Sequence, residues 1–220
     1  MIIMSILHKD IAAIREDYSK FSLDEKEALA NPITLFEKWF AEAIAAQVAE
    51  PNAMVLGSLS ADGFPSSRIV LLKDIKPNGF SFFTNYKSKK ALSLANHDKV
   101  SLLFFWHELQ RQVRIEGIAS KLPASDSDEY FASRPKASQI GAIASPQSQI
   151  ILNRSVLEEQ VQLLEAQYAD SQVLPRPENW GGYLIEPSYM EFWQGRSSRL
   201  HDRLAYKQEA GEWEINRLAP

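Results

Sequence analysis

The chain has 220 residues, of which 45% are hydrophobic and 24% are charged, as in an ordinary folded protein. Its 28 acidic and 24 basic residues give a net charge of −4, which argues against a nucleic-acid partner because such proteins usually carry a basic face. There is no cysteine, so disulfides, thiolate metal sites, iron–sulfur clusters and cysteine nucleophiles are excluded.

The sequence contains no segment that predicts export or membrane insertion. Its apolar start ends at residue 7, which is too short for the core of a signal peptide, and no apolar run is long enough to span a membrane. We therefore expect a cytoplasmic protein without a membrane partner.

The first part of the chain is predicted to be helical. Residues 5–20 carry a few apolar side chains at roughly helical spacing, so we assign residues 1–30 to a flexible or helical N-terminal segment. Asn31 and Pro32 are a typical helix start, and an apolar stripe then repeats at helical spacing up to Pro51. We predict that this helix opens a single domain of residues 31–220.

Short β-strands are predicted for most of the remaining chain. Turn signals such as Asp62-Gly63 separate the apolar runs, and helical spacing is confined to a few stretches. Strands that are followed by inserted helices and then by further strands favour a mainly β, α+β fold, an antiparallel barrel that is closed or nearly closed. The predicted strands are residues 53–60, 64–75, 80–85, 99–106, 111–122, 183–186, 189–194, 200–207 and 212–218, and the predicted helices are residues 89–96, 126–133, 139–144 and 156–168.

Lysines at the start of one predicted helix indicate a first anion site. Lys89 and Lys90 follow Thr84 at a helix N-terminus, where unpaired backbone amides favour a phosphate and where positive charge is unfavourable without one. A solvated lysine cluster is the alternative, because many exposed lysines only cover a surface. Arg68 and Lys73 stand at the two ends of an apolar strand. They are five residues apart, so in a regular strand their side chains would point to opposite faces. They therefore serve two different anions, or one of them is exposed.

A second anion site is predicted between two helices. Arg134 precedes Pro135 and is therefore biased away from helical geometry, while the proline suits the beginning of a new helix. Ser138 falls in the first turn of that helix and Tyr130 lies shortly before it, so hydroxyl and guanidinium donors gather there. Two anion sites predict two phosphorylated ligands.

The segment from residue 190 to residue 203 combines two aromatic rings, three arginines and one histidine. In an extended chain Arg199, His201 and Arg203 would share one face. Such a row of positive charge indicates a ligand site, and the alternative is an edge strand that uses charge against aggregation. The four histidines are scattered along the chain, so no metal site is predicted.

These segments together resemble the pyridoxine/pyridoxamine 5′-phosphate oxidase family. The resemblance extends in unbroken order from about residue 15 to residue 220 and implies an FMN-binding split β-barrel, assembled as a homodimer with FMN at the subunit interface. The motifs that carry it include Arg68-Ile-Val-Leu-Leu-Lys73, Arg111-Gln-Val113, Ser133-Arg-Pro135, Ser138-Gln-Ile-Gly141, Glu191-Phe-Trp-Gln194, Arg199-Leu-His-Asp-Arg203 and Arg217-Leu-Ala-Pro220.

The resemblance also implies the residues of the site. FMN binding is implied for Arg68, Ile69, Val70, Leu71, Leu72, Lys73, Phe83, Thr84, Lys89, Lys90, Gln112, Gln147, Ser148, Trp193 and Arg203. Substrate binding is implied for Arg15, Tyr18, Lys73, Tyr130, Arg134, Ser138, Arg199, Leu200 and His201, with Arg199 and His201 as the catalytic pair. Three positions depart from the family pattern, since Lys89 stands where arginine is common, Phe83 replaces a tyrosine and Glu50 stands where some members have aspartate.

The implied reaction oxidises pyridoxine or pyridoxamine 5′-phosphate to pyridoxal 5′-phosphate, with oxygen as the electron acceptor. Hydrogen peroxide is the second product, and the amine substrate also releases ammonia. The alternatives are a related split-barrel flavoprotein that acts on a phenazine-type precursor, a non-enzymatic FMN or pyridoxal-phosphate binding protein, and a small-barrel nucleic-acid binder.

Overall fold

The structure is a computed structural model that describes residues 13–14 and 16–220. Most of the predicted N-terminal helix therefore lies outside the described residues. Residues 16–20 are described and are not helical, so the prediction of a helix up to residue 20 is wrong. The division of the chain at residue 30 stays a prediction.

The first long helix fills the inside of a curled sheet. Helix α1 spans Pro32–Ala45, and the side chain of Asn31 accepts a hydrogen bond from the backbone N–H of Ile33 at 2.8 Å. The ring of Phe36 on this helix lies 4.8 Å from that of Phe80 and 4.9 Å from that of Phe104. These three rings are fully buried, so side chains pack the interior of the sheet around them.

A nine-stranded sheet, with all its pairs antiparallel, makes up most of the described chain. The main order of the strands is β2-β1-β5-β6-β7-β4-β3, with β8 paired to β7 and β9 paired to β8. The strands are β1 Ala53–Leu59, β2 Pro65–Leu71, β3 Asp74–Lys76, β4 Gly79–Asn85, β5 Lys99–Trp106, β6 Arg111–Lys121, β7 Trp180–Gln194, β8 Asp202–Glu209 and β9 Glu212–Arg217.

The two outer strands of this main order are consecutive in the chain. Strands β2 and β3 are joined by only Leu72 and Lys73, so the sheet must curl until its two edges meet. The backbone N–H of Leu72 donates to Asn52 at 2.8 Å, whereas that of Lys73 donates to Ser81 on the opposite side at 2.9 Å. We call this junction the seam. The prediction of one continuous strand over residues 64–75 is wrong, because the two residues of the seam bond to different edges.

Strand β7 is the longest element and replaces two predicted strands. Residues 183–186 and 189–194 were predicted as separate strands, and Pro187, which cannot donate to a strand ladder, lies between them. The structure accommodates Pro187 opposite Gly117, where the register between β6 and β7 shifts. A side chain at Gly117 would collide with the carbonyl oxygen of Glu186, so glycine allows the two backbones to approach. The first half of β7 pairs with β4 and its second half pairs with β8.

Four further helices pack against the sheet. Three of them contribute to a second apolar cluster, in which Phe131, Ile140 and Leu164 pack with Leu174 and Trp180. The fourth, residues 89–96, adds Ala91 and Leu94 to the main core. The predicted helices are confirmed with small shifts in their bounds. In the described part of the chain, none of the helices has the length and apolar character needed to cross a membrane. These helices are α2 Lys89–Asn96, α3 Ala124–Ser133, α4 Lys136–Ala144 and α5 Ser155–Gln167.

Candidate functional site

A cavity of about 680 Å³ opens at the seam between β2, β4 and the helical cluster. Its size is that of a site for a small molecule or cofactor. We call this cavity the seam pocket. It is lined by Ile69, Val70, Leu71, Lys73, Phe83, Thr84, Asn85, Lys90, Tyr130, Arg134, Pro135, Ser138, Gly141, Ala142, Ser145, Gln147 and Trp180.

Arg134 is the most exceptional side chain of the seam pocket. It lies at the break between α3 and α4 in extended geometry, with φ −73° and ψ 149°, as expected for a residue before proline. Its Nη1 is buried and has no hydrogen-bond partner among the described residues. Burial also lowers the pKa of Arg134. A buried donor without a partner is costly, so this nitrogen is suited to an anion supplied by a ligand.

The break that carries Arg134 is fixed from behind by a buried glutamine. The side-chain nitrogen of Gln139 donates to the backbone oxygens of Arg134 at 2.8 Å and of Ala132 at 3.3 Å. Its side-chain oxygen accepts from the backbone N–H of Leu174 at 2.8 Å. The guanidinium carbon of Arg134 lies 4.8 Å from the centre of the Trp180 ring. These contacts hold the guanidinium group in place before any ligand binds.

A second group of polar side chains lies at the start of α2, as the lysine pattern predicts. Lys90 Nζ donates to Thr84 Oγ1 at 3.1 Å and to the side-chain oxygen of Gln147 at 3.2 Å. Burial, and then the nearby charge of Arg68, lower the pKa of Lys90. The helix begins after Ser88, whose hydroxyl caps it by accepting from the backbone N–H of Ala91. Positive charge at a helix N-terminus is suited to a phosphate.

Three stacked aromatic rings line the seam pocket between these groups. The Phe83 ring lies 4.0 Å from that of Tyr130 and 5.5 Å from that of Trp180, with interplanar angles of 21° and 13°. Trp180 and Asn85 line the pocket but were missed by the sequence analysis. An aromatic residue just before the pair Gly181-Gly182 was the available signal, because two glycines in a strand indicate close packing.

Seven of the fifteen residues that the resemblance assigns to FMN do not line the seam pocket, and four of these seven are next in the chain to residues that do. Leu72 is buried in the main core. The guanidinium group of Arg68 donates to the hydroxyls of Ser58 at 2.7 Å and Ser66 at 2.8 Å. Lys89 and Ser148 are also absent from the lining, although each is next in the chain to a residue that does line it. Their assignment stays a prediction.

A different group of predicted residues lies on the outer face of the sheet. Gln112 on β6, Trp193 on β7 and Arg203 on β8 are direct cross-strand neighbours, so their side chains lie side by side on one face. We call these three residues the sheet-face row. Arg203 Nε donates to Glu191 at 2.8 Å, and its Nη1 donates to the backbone oxygen of Ala219 at 2.8 Å.

His201 lies beside this row, although not in the predicted way. Strand β8 begins only at Asp202, and Arg199 belongs to a tight turn in which it has a φ of 63°. The prediction that Arg199, His201 and Arg203 alternate along one strand is therefore wrong. The His201 ring lies 4.5 Å from that of Trp193, and the side chain of Leu200 is exposed.

The protonation of His201 follows from its backbone contact. Its Nδ1 accepts a hydrogen bond from the backbone N–H of Arg196 at 3.1 Å, so the neutral ring carries its proton on Nε2. Burial, followed by the charge of Arg199, lowers the pKa of His201. His201 is thus set up as a neutral hydrogen-bond donor rather than as a cation.

The N-terminal segment reaches the same place. The Tyr18 ring lies 5.9 Å from that of Trp193 in an edge-to-face arrangement. A side chain at Gly195 would collide with the Tyr18 ring, so glycine permits this contact. Arg15, the other residue that the resemblance assigns to this segment, lies outside the described residues.

The seam pocket and the sheet-face row do not meet within one chain. Trp180 lines the pocket at the start of β7, and Trp193 stands in the row near the end of the same strand. Thirteen residues of straight strand correspond to roughly 40 Å. Among the described residues, none of Gln112, Trp193 and Arg203 lines the pocket.

Family models match two parts of this chain. Residues 40–168 match "Pyridoxamine 5′-phosphate oxidase", and residues 180–220 match "Pyridoxine 5′-phosphate oxidase C-terminal dimerisation region". The chain belongs to this family. The family consists of FMN-dependent oxidoreductases, so the predictions of an enzyme, of FMN as its cofactor and of the split-barrel fold are confirmed at the level of the family.

Curated members of the pyridoxine/pyridoxamine 5′-phosphate oxidase family are similar over nearly their whole length. The protein of that name from a Cyanothece species is 51% identical over 210 residues, which cover 96% of this chain and 98% of that protein. Its counterpart from Salinibacter ruber is 47% identical over 212 residues, which cover 96% and 99%.

The solved structures that are similar to this chain include the following two. PhzG from Burkholderia lata, in complex with tetrahydrophenazine-1-carboxylic acid, is 34% identical with a TM-score of 0.85, over 90% of this chain and 98% of that one. A pyridoxamine 5′-phosphate oxidase-related, FMN binding protein from Nostoc punctiforme has a TM-score of 0.68, over 88% and 100%. The second shares only 14% identity and therefore supports the fold alone.

Proposed function

We propose that this protein oxidises pyridoxine 5′-phosphate and pyridoxamine 5′-phosphate to pyridoxal 5′-phosphate, with FMN as the cofactor and oxygen as the electron acceptor. The observation that carries the proposal is the buried Nη1 of Arg134, which has no partner among the described residues. Lys73, Tyr130 and Ser138 line the same pocket, so a phosphate there would find cationic and hydroxyl donors. The relatives that share this family name support the substrate class.

The polar side chains at the start of α2 fit the phosphate of FMN. Lys90, Thr84 and Gln147 already form one hydrogen-bonded cluster, and the N-terminus of α2 lies beside it. Arg68 is close enough to lower the pKa of Lys90, which is consistent with an anion between the two cations. When bound, FMN supplies the two-electron oxidation and is restored by oxygen.

The protein's own side chains are proposed to orient the substrate. Arg134, with Lys73 and Ser138, holds the phosphate, while Arg199 and His201 contact the pyridine ring and its substituents. The Nε2–H of His201 is a fixed donor because its Nδ1 already accepts from Arg196. Correct orientation of the reacting carbon is the main contribution that such residues make to the rate.

A homodimer explains why the site residues lie in two places. The match to a C-terminal dimerisation region covers residues 180–220, which include Trp193, Arg199, His201 and Arg203. We propose that the sheet-face row of one chain completes the seam pocket of its partner. A two-fold dimer would then contain two equivalent sites, each with residues from both chains. The cytoplasmic location stays a prediction from the sequence.

A phenazine-type substrate is the second candidate, because PhzG shares 34% identity and a similar fold over most of this chain. The four phosphate donors of the seam pocket favour the vitamin B6 substrates, since a carboxylated ring without a phosphate would not require all of them.

The deciding experiment uses FMN-loaded protein mixed anaerobically with pyridoxine 5′-phosphate and then exposed to air. Bleaching of the yellow colour, followed by its recovery with pyridoxal 5′-phosphate and peroxide, is the expected result. A protein that binds FMN but stays yellow with this substrate, and is bleached by a reduced phenazine carboxylate, would contradict the proposal. Failure to bind FMN would overturn it entirely.

A further inference from the structure

Glu191 is a carboxylate buried in the outer face of the sheet. Its side chain is only 2% exposed, and it lies on β7 directly opposite Arg114 of β6. Trp193 of the sheet-face row lies two residues further along the same strand, so its side chain points to the same face as that of Glu191. Isolated buried carboxylates are costly, so the contacts that compensate this one indicate its role.

Both oxygens of Glu191 are used. Oε1 accepts from Arg203 Nε at 2.8 Å, while Oε2 accepts from Arg114 Nη1 at 3.2 Å and from the Tyr189 hydroxyl at 3.0 Å. Burial by itself would raise the pKa of Glu191, but the hydrogen bonds from Arg203 and Tyr189 and the two positive charges outweigh it and lower the pKa. Glu191 is therefore ionised at neutral pH and is shared between two arginines.

The contacts of Arg203 define the plane of its guanidinium group. Nε is bound to Glu191, and Nη1 is bound to the backbone oxygen of Ala219 near the end of the chain. The backbone N–H of Leu218 donates in turn to the backbone oxygen of Arg203 at 3.0 Å. Two fixed points on one planar group leave it little freedom to rotate. Among the described residues, these two nitrogens account for the side-chain hydrogen bonds of Arg203.

We propose that Glu191 is a positioning residue that acts through Arg203 and sets how strongly this arginine favours reduced, negatively charged FMN. The inference rests on the proposed function, in which the sheet-face row completes the site of the partner chain, and on the contact of Arg203 with FMN that the resemblance implies. A carboxylate bound to Arg203 offsets part of its positive charge, and Arg114 offsets part of the carboxylate. The charge that Arg203 presents to a ligand therefore depends on how Glu191 is shared.

Two substitutions test this balance with opposite signs. Glu191→Gln keeps the shape and an acceptor oxygen but removes the negative charge, so it should raise the ratio of affinities for reduced over oxidised FMN about tenfold. For a two-electron couple this ratio corresponds to a rise of about 30 mV in the flavin midpoint potential. Arg114→Gln leaves the carboxylate to act on Arg203 alone and should lower the same ratio, by about threefold. Midpoint potentials of the FMN-loaded variants, measured anaerobically against reference dyes, give both values.

Arg203→Lys separates action through Arg203 from a direct effect of the carboxylate on the flavin. Lysine keeps the charge but lacks the Nε contact, so adding Glu191→Gln to this variant should change the ratio less than twofold. An undiminished tenfold effect in the Arg203→Lys background would overturn the inference. So would a Glu191→Gln protein that melts at a lower temperature but keeps the wild-type potential, because that result describes a purely structural residue.

Tyr189→Phe is the matched control. It removes the hydroxyl from Oε2 of Glu191 but leaves the contact of Oε1 with Arg203 intact, so the ratio should stay within about twofold of wild type. If Arg203→Lys itself leaves FMN affinity and potential unchanged while the wild type oxidises its substrate, the role of Arg203 fails and the proposed function stands. A wild type that binds no FMN would instead overturn the proposed function.

Discussion

The seam pocket and the sheet-face row both carry arginine, but the two arginines are in opposite situations. Nη1 of Arg134 in the pocket is buried without a partner among the described residues. Arg203 in the row is already bonded to the carboxylate of Glu191 and to a backbone oxygen. The pocket therefore has donors available for an incoming anion, whereas the row presents a partly neutralised cation beside aromatic rings.

This difference suggests a division of work between the two regions. A phosphate supplies most of its binding energy through charge-assisted hydrogen bonds, so the pocket is suited to capture the ligand. The row has fewer unpaired hydrogen-bond donors and is suited to orient a ring and to tune its redox properties. Substitutions in the pocket should then act mainly on affinity, and those in the row mainly on the rate of oxidation.

The largest expected effect tests whether the two regions belong to one site. Arg134→Ala and Arg199→Ala should each lower kcat/KM for pyridoxine 5′-phosphate at least about 100-fold, because one removes the phosphate anchor and the other a ring contact. Equal amounts of the two variants, dissociated and reassociated together, should recover about a quarter of the wild-type activity. About half of the reassociated dimers contain one chain of each variant. In such a dimer one site carries both substitutions, and the other site combines an unaltered Arg134 with an unaltered Arg199 and is intact.

The control for this experiment mixes Arg134→Ala with Lys73→Ala, which alter the same pocket. A mixed dimer of these two has one substitution in each of its sites, so at substrate concentrations well below KM the mixture should be no more active than the average of the two variants. Recovery in the control, or its absence in the main experiment, would show that the two regions do not form a shared site.

Lys73→Ala should give the next largest effect, and it tests whether the seam pocket acts on substrate affinity rather than on the rate of oxidation. Loss of a hydrogen bond to a charged group costs about 1.5–3 kcal/mol, so KM should rise roughly 10- to 100-fold while kcat changes little. Steady-state kinetics measure both values. Lys76→Ala is the matched control, since Lys76 pairs with Asp126 outside the seam pocket. A fall in kcat without a change in KM would contradict the division between the regions.

Ser138→Ala should have a smaller effect of the same kind. A hydroxyl that donates to a phosphate contributes about 0.5–1.5 kcal/mol, so KM should rise about 2- to 10-fold. Ser133→Ala provides the comparison, because the Ser133 hydroxyl bonds to the backbone oxygen of Tyr130 instead of lining the seam pocket. Equal effects of the two substitutions would mean that Ser138 has no special role at the phosphate.

The smallest expected effect concerns the segment that places Tyr18 beside the row. The exposed carboxylate of Glu25 accepts a hydrogen bond from Arg217. This bond is the main reason that the pKa of Glu25 falls from 4.5 to about 2. Arg217 also donates to the backbone oxygen of Leu23. A lowered pKa stabilises the folded state above pH 4.5, and this contribution is lost as the pH falls towards 2. Glu25→Gln should lower the melting temperature by no more than about 2 °C at pH 7, because exposed ion pairs contribute little.

The same difference in melting temperature should disappear between pH 4.5 and pH 2. Glu165→Gln, on the exposed face of α5, is the control for the loss of one negative charge. If the difference between wild type and Glu25→Gln persists unchanged at low pH, the Glu25 contact does not link this segment to the rest of the protein.

Local sequence signals predicted most of the elements because their causes are local. The Asn31 cap, the Arg134-Pro135 break and the turn at Asp62-Gly63 act through the residues next to them, and the structure contains all three. The elements that were predicted wrongly have long-range causes. Pro187 stays inside a strand because Gly117, seventy residues earlier, lies opposite to it.

The candidate site shows the same limit. Motif resemblance indicated Lys73, Arg134 and Ser138, and the structure brings them to one pocket. Trp180 was missed because its place in the pocket depends on the pairing of β7 with β4, about one hundred residues away in the chain. The positive φ of Arg199 could not be expected either, since non-glycine residues rarely adopt it and nothing nearby in the sequence signals it.

The aromatic packing around Phe36 has a consequence for the order of events during maturation. Because side chains from α1 already fill the inside of the curled sheet, the fold needs no ligand at its centre to be complete. The seam pocket lies at the outside of that core, where Leu72 and Lys73 join the two edges. We therefore expect the polypeptide to fold before it acquires a prosthetic group, and we expect the loaded form to be emptied and refilled, for instance with a chemically altered analogue, without unfolding.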